Sequence, residues 1–164
     1  MEAAGPLREV YLRPGDFCFG EGRLRINTLL GSCVAIVLWH PRLAHGGMCH
    51  YMLPRRNQPR GNVALDGRYG DEAMALFMLE IKKRHAVPAQ YRVNIYGGGS
   101  MFDNRATRHT DVGMQNIEMA RNLLDEHGFT LAYDTLGFGY SKIAFDVWSG
   151  EVSLMHVDRI NTGK

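Results

Sequence analysis

The sequence predicts an α+β domain, in which helices pack on the faces of a β-sheet, and three observations support this prediction. The chain has 164 residues, the length of one domain over residues 1–164, which is enough to bury a core without disulfides or metals. Segments rich in β-forming residues lie near both ends of the chain. Two segments with helical periodicity are placed so that strands come before, between and after them.

The predicted strands are short apolar or alternating segments bounded by turn residues. Residues 34–39 (VAIVLW) form a continuous apolar run, which is typical of a strand buried on both faces, and Pro41 ends it. Residues 47–53 are expected to pair with that strand through a loop that contains Gly46. The other predicted strands are residues 8–12 and 92–96, and a hairpin of residues 142–148 and 151–157 around Ser149 and Gly150.

The two predicted helices are recognised by apolar residues at intervals of three and four. Residues 71–84 carry one stripe, and the cations that end this segment suit the C-terminus of a helix. Residues 111–127 carry a second stripe, and Gly128 is a suitable residue to end that helix. The stripes consist of Met74, Phe77, Met78 and Ile81 in the first helix and Ile117, Ala120, Leu123 and Leu124 in the second.

Charge and hydropathy exclude several functional classes. The net charge of +2, from 19 Lys and Arg residues against 17 Asp and Glu residues, is too small for a dedicated nucleic-acid-binding protein. Because 15 of the 19 cationic residues are arginine, which suits bidentate contacts to carboxylates, an acidic protein partner remains open. No segment approaches the ~18 consecutive apolar residues of a membrane span, and the first residues do not resemble a signal peptide. We therefore expect a cytoplasmic protein, in which three cysteines do not form a disulfide framework.

Cys33 and His50 are the candidate catalytic pair. Cys33 lies between a turn and the apolar strand, so a rigid element holds its backbone. Gly31 lets the turn approach a substrate, and the N–H groups near Ser32 are expected to stabilise an oxyanion. If residues 47–53 pair with residues 34–39, His50 can lie beside Cys33. An adjacent imidazole activates a thiol that is otherwise mostly protonated at neutral pH.

Other interpretations of these residues are open at this point. A single cysteine before a strand is commonly a small buried residue, and a single histidine is commonly a hydrogen-bonded structural residue. A zinc site from Cys33, Cys49 and His50 is conceivable, but the spacing fits no common ligand pattern and lacks a clear fourth ligand. Because adjacent residues of a strand point to opposite faces, Cys49 is expected in the core, and Cys18 is also interpreted as structural.

Five segments, in their order and spacing, resemble the CheD family of chemoreceptor glutamine deamidases. The resemblance covers about residues 10–157, nearly the whole chain, which makes it more specific than a short motif. The segments are residues 28–35 (TLLGSCVA), 46–54 (GGMCHYMLP), 68–74 (RYGDEAM), 96–102 (YGGGSMF) and 113–117 (GMQNI).

The resemblance implies a cysteine hydrolase that converts particular receptor glutamines to glutamate and releases ammonia through a Cys thioester. It places Cys33 on the family's nucleophile and His50 on its general base. The family also has a threonine shortly before the cysteine that orients the histidine, and the matching residue here is Thr28 or, in another register, Asn27. The implied fold is similar to that of the cytotoxic necrotising factor deamidases, with packed mixed β-sheets and flanking helices. This chemistry needs no metal and no organic cofactor.

The resemblance also implies contacts with the receptor. Gly98 and Gly99 are expected to line the mouth of the active site, where absent side chains let a receptor helix approach, although a flexible connection is an alternative. The long polar loop after His50 is expected to dock the carboxylates of a glutamate-rich receptor helix, although a solvated basic loop is the default interpretation. The docking residues in this loop are Arg55, Arg56 and Arg60.

Two classes of function follow from the resemblance. The first is deamidation of the cytoplasmic domains of methyl-accepting chemoreceptors. The second is a chemosensory adaptor that binds receptors and a CheC-type phosphatase with little turnover. The Cys33 and His50 pair favours an enzyme, because binding alone requires no reactive thiol beside an imidazole. Hydrolysis of glutamate methyl esters uses the same acyl chemistry, and the sequence does not separate it from deamidation.

Overall fold

The computed structural model describes residues 5–99, 111–134 and 139–157, without the side chains of residues 133 and 134. The described residues form nine strands, two α-helices and a short 3₁₀-helix at Pro88–Gln90. The helices are α1 (Gly70–Lys83), between the fifth and sixth strands, and α2 (Val112–Glu126), between the sixth and seventh. The strands are β1 (Arg8–Leu12), β2 (Phe17–Glu21), β3 (Leu24–Leu30), β4 (Val34–His40), β5 (His45–Cys49), β6 (Arg92–Gly97), β7 (Thr130–Asp134), β8 (Tyr140–Asp146) and β9 (Glu151–Val157).

The strands form two mixed sheets. One sheet has four strands in the order β1-β3-β8-β9, and the other has five in the order β2-β5-β4-β6-β7. Each sheet contains one parallel pair, β1 with β3 and β6 with β7, and its other pairs are antiparallel. The predicted α+β class, with packed mixed sheets and flanking helices, is confirmed.

Alternate residues of β4 point into two separate cores. Val34, Ile36 and Leu38 belong to the core that α1 and α2 cover, and Ala35 and Val37 belong to the core beneath the four-stranded sheet. The layers are therefore the helices, the five-stranded sheet and the four-stranded sheet. Because both faces of β4 are covered, its continuous apolar run is required by the fold, as the sequence predicts.

Three strands of the structure, β2, β3 and β7, are not predicted by the sequence analysis. The most important is β3, because Thr28, which was expected in a turn, lies within this strand. The inward-facing residues of β3 alternate as a strand requires, but Thr28 takes one of the four inward positions. A polar residue at a core position interrupts the apolar alternation, so the sequence pattern does not indicate a strand here. The four inward-facing residues are Leu24, Ile26, Thr28 and Leu30.

The strand predicted at residues 47–53 pairs with β4 as expected, but β5 ends earlier, at Cys49. The reason is that the backbone of His50 bonds to the loop before β2. The Gly15 N–H donates to the His50 carbonyl at 2.7 Å, and the His50 N–H donates to the Asp16 carbonyl at 3.2 Å. His50 is therefore held by main-chain hydrogen bonds just outside the strand.

The two helices begin and end within one residue of their predicted limits. The Asp111 side chain caps α2 by accepting from the Met114 N–H at 2.7 Å, and Gly128 follows the helix with a φ of 81°. The predicted hairpin is confirmed as β8 and β9. Within the described ranges, neither helix is both long and apolar enough to pass through a bilayer.

Candidate active site

The register of β4 and β5 brings Cys33 and His50 to one end of the five-stranded sheet. The strands are antiparallel, and an isolated bridge continues their register with Val34 opposite Tyr51. Val34 and Tyr51 exchange two backbone hydrogen bonds, at 3.0 and 2.9 Å. Cys33 and His50 are the residues that directly precede the two members of this bridge. The predicted pairing of the two segments is therefore confirmed.

Cys33 and His50 also lie on the same face of the sheet. Val34 and Tyr51 belong to the core beneath the helices, so the residues before them point to the opposite face, towards the four-stranded sheet. In this register Ala35 is opposite His50, and Cys33 is the diagonal neighbour of His50, a separation of about 7–8 Å in antiparallel sheets. No hydrogen bond joins the two side chains in the resting structure.

Thr28 fixes the orientation and the tautomer of the His50 imidazole. Its Oγ1 atom lies 2.6 Å from His50 Nδ1 and 2.9 Å from the carbonyl oxygen of Leu12. A carbonyl can only accept, so Thr28 donates its one hydroxyl proton to Leu12, and its oxygen accepts from Nδ1–H. A neutral imidazole that carries its proton on Nδ1 has its lone pair on Nε2, the nitrogen that a general base needs free.

Asn27 makes no comparable contact with His50, because it lies on the other face of β3. Its amide Nδ2 lies 3.3 Å from the Glu9 carboxylate and 3.4 Å from the carbonyl oxygen of Val10. Of the two residues that the sequence left open, Thr28 is the one that contacts the histidine.

The electrostatic environment keeps His50 neutral. The residue is only 2% exposed, and burial lowers the pKa of its imidazole to about 4, although the nearby Asp16 carboxylate raises it in part. Nε2 is buried and has no hydrogen-bond partner among the described residues. At neutral pH His50 is therefore a neutral imidazole with an unused lone pair.

Cys33 is half-buried, and burial raises the pKa of its thiol. The pKa values of Cys33 and His50 thus move in opposite directions, and both shifts favour the uncharged form. The pair at rest is a neutral thiol and a neutral imidazole, not a thiolate with an imidazolium.

Backbone hydrogen bonds from two glycines hold the turn that carries Cys33. The Gly98 N–H donates to the Cys33 carbonyl at 2.8 Å, and the Gly99 N–H donates to the Gly31 carbonyl at 2.9 Å. Both glycines are buried, and a Cβ at Gly98, whose φ is 64°, would overlap the Ile117 side chain. The absent side chain of Gly98 therefore makes room for protein, not for a receptor helix at the mouth of the site as the sequence analysis expected.

The same hydrogen bonds orient the N–H groups of the turn. The carbonyls of Gly31 and Ser32 are bound by Gly99 and by Asn116 Nδ2, the latter at 3.0 Å. In a trans peptide unit the N–H points away from the carbonyl, so the N–H groups of Ser32 and Cys33 point away from these two partners. Within the described part of the chain they donate to no backbone carbonyl.

Of the three arginines expected to dock a receptor, Arg56 is already bound within the protein. Its guanidinium donates to Glu72 of α1 at 2.5 and 3.1 Å and lies 4.7 Å from the ring centre of Tyr69. This pairing is the main cause that lowers the pKa of the buried Glu72 carboxyl. Arg56 anchors the loop, whereas Arg55 and Arg60 are exposed and form no ion pair with any described carboxylate.

The other two cysteines pack in the cores. Cys49 is fully buried beneath the helices, on the face opposite to His50 as predicted, and Cys18 packs against the other core. Burial raises the pKa of both thiols, that of Cys49 to about 12. In the described ranges, no group of three or more His, Cys, Asp or Glu side chains is placed to hold a metal ion.

The sequence analysis assigns no role at the site to three residues that shape it. The Leu12 carbonyl and the backbone of Asp16 act through the main chain, which leaves no signal in residue type. Asn116 does leave a signal, because it is a polar residue that is 0% exposed and directly precedes Ile117 of the apolar stripe. A polar side chain among the core residues of a helix indicates a specific hydrogen-bonding role.

Comparisons with known proteins agree on one family. The family model described as CheD chemotactic sensory transduction matches residues 52–156. The probable chemoreceptor glutamine deamidase CheD 3 of Dechloromonas aromatica is 46% identical over 93% of this chain and 89% of its own length. The probable chemoreceptor glutamine deamidases of Albidiferax ferrireducens (CheD 2) and Pseudomonas syringae pv. tomato (CheD) are each 40% identical, over 94% and 90% of this chain and 90% and 89% of their own lengths.

A solved structure, that of the hypothetical protein YfiH from Bacillus licheniformis, overlaps 74% of this chain and 51% of its own length. The identity is 14% and the TM-score is 0.47, a level that identifies neither fold nor function. The three relatives cover 90–94% of this chain at 40–46% identity, and the family model covers residues 52–156. On that basis the chain belongs to the CheD family.

Proposed function

We propose that this protein is a cysteine-dependent deamidase that converts glutamine side chains of bacterial chemoreceptors to glutamate. Relatives at 40% and 46% identity are named as probable chemoreceptor glutamine deamidases. One observation carries the proposal. His50 Nδ1–H donates to the Thr28 hydroxyl, which in turn donates to the Leu12 carbonyl. The other ring nitrogen, Nε2, is left buried and without a partner on the face that also bears Cys33. An unpartnered buried acceptor destabilises a protein, so its presence here favours a catalytic role.

In the first half of the reaction, Cys33 Sγ bonds to the carbonyl carbon of the glutamine side chain, and His50 Nε2 accepts the thiol proton. The carbonyl oxygen becomes negatively charged and accepts hydrogen bonds from the N–H groups of Ser32 and Cys33. The carbon–nitrogen bond then breaks, Nε2–H donates its proton to the departing nitrogen, and ammonia leaves a Cys33 thioester.

In the second half, a water oxygen bonds to the thioester carbon while His50 Nε2 accepts one of the water protons. The carbon–sulfur bond breaks, the sulfur takes the proton back from the imidazolium, and glutamate is released. The hydroxyl of Thr28 accepts from Nδ1–H throughout. This hydrogen bond is strongest when the imidazole is charged, which is when it stabilises the reaction most.

Peptide mapping by mass spectrometry tests the proposal. The protein is incubated with the cytoplasmic fragment of a chemoreceptor, and the wild type should convert specific glutamines to glutamate. Cys33→Ala should abolish the conversion. Cys18→Ala is the matched control, because it removes another half-buried thiol, the one on β2, and it should retain activity. Conversion that persists in Cys33→Ala would refute the assignment of the nucleophile.

The same assay separates the two alternatives. Receptor binding by the wild type without conversion would favour the adaptor, which engages receptors and a CheC-type phosphatase. A receptor fragment that carries glutamate methyl esters tests methylesterase activity. In that reaction methanol, and not ammonia, is the leaving group when the Cys33 thioester forms. If Cys33→Ala loses both activities, one nucleophile serves both substrates.

We further propose that Arg55 and Arg60 contact receptor carboxylates, because they are exposed cations on the loop that follows His50. Reversal of both charges, Arg55→Glu with Arg60→Glu, should weaken receptor binding, most clearly at low salt where charges are least screened. Arg56→Glu is unsuitable for this test because it removes the partner of Glu72. Unchanged binding at low salt would contradict the docking role.

A further inference from the structure

A buried amide on α2 joins the two segments that carry the proposed catalytic pair. Asn116 is 0% exposed, and its Nδ2 donates to the Ser32 carbonyl at 3.0 Å and to the Met52 carbonyl at 2.8 Å. Ser32 directly precedes Cys33, and Met52 follows His50 by two residues. The two protons of one amide are therefore divided between the turn of the nucleophile and the segment of the base.

The contacts of Asn116 lie just beyond the last backbone pairing between the two segments. The bridge between Val34 and Tyr51 is the last backbone pairing between the two segments in the described part of the chain. Ser32 and Met52 lie just beyond it, where no backbone hydrogen bond joins the two segments to each other. Asn116 spans this gap, so its side chain takes the place of the next pair of backbone hydrogen bonds.

The main chain of Asn116 strengthens the connection. The buried Tyr51 hydroxyl donates a short hydrogen bond to the Asn116 carbonyl oxygen. Tyr51 directly follows His50, so α2 is tied to the segment of the base by a side chain from each partner. The first turns of α2 therefore act as a fixed support for both segments.

We propose that Asn116 is a positioning residue for the deamidation, which sets the separation of Cys33 from His50 and the direction of the Cys33 N–H. That N–H belongs to the same peptide unit as the Ser32 carbonyl that Asn116 binds, so a shift of this carbonyl also moves the oxyanion donor. Asn116 contacts neither of the two reactive side chains and acts through the backbone alone. The inference rests on the proposed function.

The test compares Asn116→Ala with Leu124→Ala. Leu124 is buried in the same core about two turns further along α2, so its replacement removes packing but no contact with either segment. Both variants should lower Tm, but at a temperature where both are folded only Asn116→Ala should lose turnover. A misplacement of about 1 Å can lower kcat about 100-fold, and KM for the receptor fragment should change little because the docking surface is intact.

Two further variants cover the case in which Asn116→Ala fails to fold. Asn116→Asp keeps the size of the side chain but places an oxygen against both carbonyls, so it should lose at least as much kcat as Asn116→Ala. Tyr51→Phe removes one hydroxyl from the same connection and should give a smaller fall in kcat.

A second readout is independent of activity. Hydrogen exchange at the Val34 and Tyr51 amides should accelerate more in Asn116→Ala than in a Leu124→Ala variant of similar stability, because only Asn116→Ala also loosens the two segments locally. The inference is overturned if kcat falls no further in Asn116→Ala than in Leu124→Ala, or if exchange at these amides accelerates no more than in Leu124→Ala. A wild type without Cys33-dependent conversion would refute the proposed function itself, which is a different outcome.

Discussion

Thr28→Val isolates the effect of one hydroxyl group, because a methyl group of similar size replaces it and the shape of the core is kept. Two buried groups then lose their partner, the Nδ1–H of His50 and the carbonyl of Leu12. Each buried group left unpaired costs about 1–3 kcal/mol, so the free energy of unfolding should fall by about 2 kcal/mol or more. For a chain of this size the fall in Tm should be at least about 4 °C.

Thr28→Val should also lower turnover, because the lost hydrogen bond is stronger in the charged intermediate than in the resting enzyme. When Nε2 has taken the proton, the imidazole is positive and the bond from Nδ1–H to Thr28 is charge-assisted, which is worth about 1.5–3 kcal/mol. Because the neutral hydrogen bond of the resting enzyme is lost as well, only the difference of about 1–1.5 kcal/mol lowers kcat, by about 5- to 13-fold. Without Thr28 the imidazole can also carry its proton on Nε2, which removes the base and lowers kcat in the same direction.

The assay is the initial rate of glutamine conversion in a receptor fragment, measured by mass spectrometry at a temperature where every variant is folded. Thr28→Ser keeps the hydroxyl and should retain most of the rate. Asn27→Ala alters the adjacent residue on the opposite face of β3 and should also retain it. Wild-type kcat in Thr28→Val would refute the role of the hydroxyl, and an equal loss in Asn27→Ala would transfer that role to Asn27.

Four further predictions follow from burial and packing. Alkylation of Cys33 by iodoacetamide should accelerate only above the usual pKa range of a thiol, because burial raises its pKa, and titration below that range would contradict a neutral resting pair. The acid limb of kcat/KM should lie near pH 4, the pKa of buried His50, while a limb near the usual imidazole value of about 6.5 would contradict it. In the unfolded chain the imidazole of His50 has a pKa of about 6.5, whereas in the folded protein it is about 4. His50 therefore contributes its full stability above about pH 6.5, and this contribution is lost as pH falls towards about 4. Urea unfolding of the wild type and of His50→Gln at several pH values measures this loss. In thermal unfolding, Gly98→Ala should destabilise the protein by about 1–3 kcal/mol more than Gly128→Ala. Both glycines have a positive φ, but only at Gly98 would an added Cβ meet another side chain. Equal losses in the two variants would contradict this reasoning.

The sequence predicts an element well where nothing polar interrupts its pattern. β4 is correctly predicted because both of its faces are covered and every residue from Val34 to Leu38 is buried. β3 is missed because Thr28 occupies one of its core positions, where its hydroxyl contacts His50. The residue that conceals the strand is thus the one that the proposed chemistry uses, as is common where local pattern and function conflict.

Other features of the site depend on contacts that residue type does not reveal. The choice between Thr28 and Asn27 rests on a register of one residue in β3, which moves a side chain to the other face of the sheet. The pairing of Arg56 with Glu72 joins a loop to a helix 16 residues further along the chain. The neutral state of Cys33 follows from burial, which only the packed structure establishes.

The contact between Thr28 and His50 crosses the boundary between layers. Thr28 belongs to the four-stranded sheet, whereas His50 and Cys33 flank strands of the five-stranded sheet. Until the two sheets have docked, His50 lacks the hydrogen bond that sets its tautomer, so the proposed proton acceptor is oriented only in the fully assembled fold.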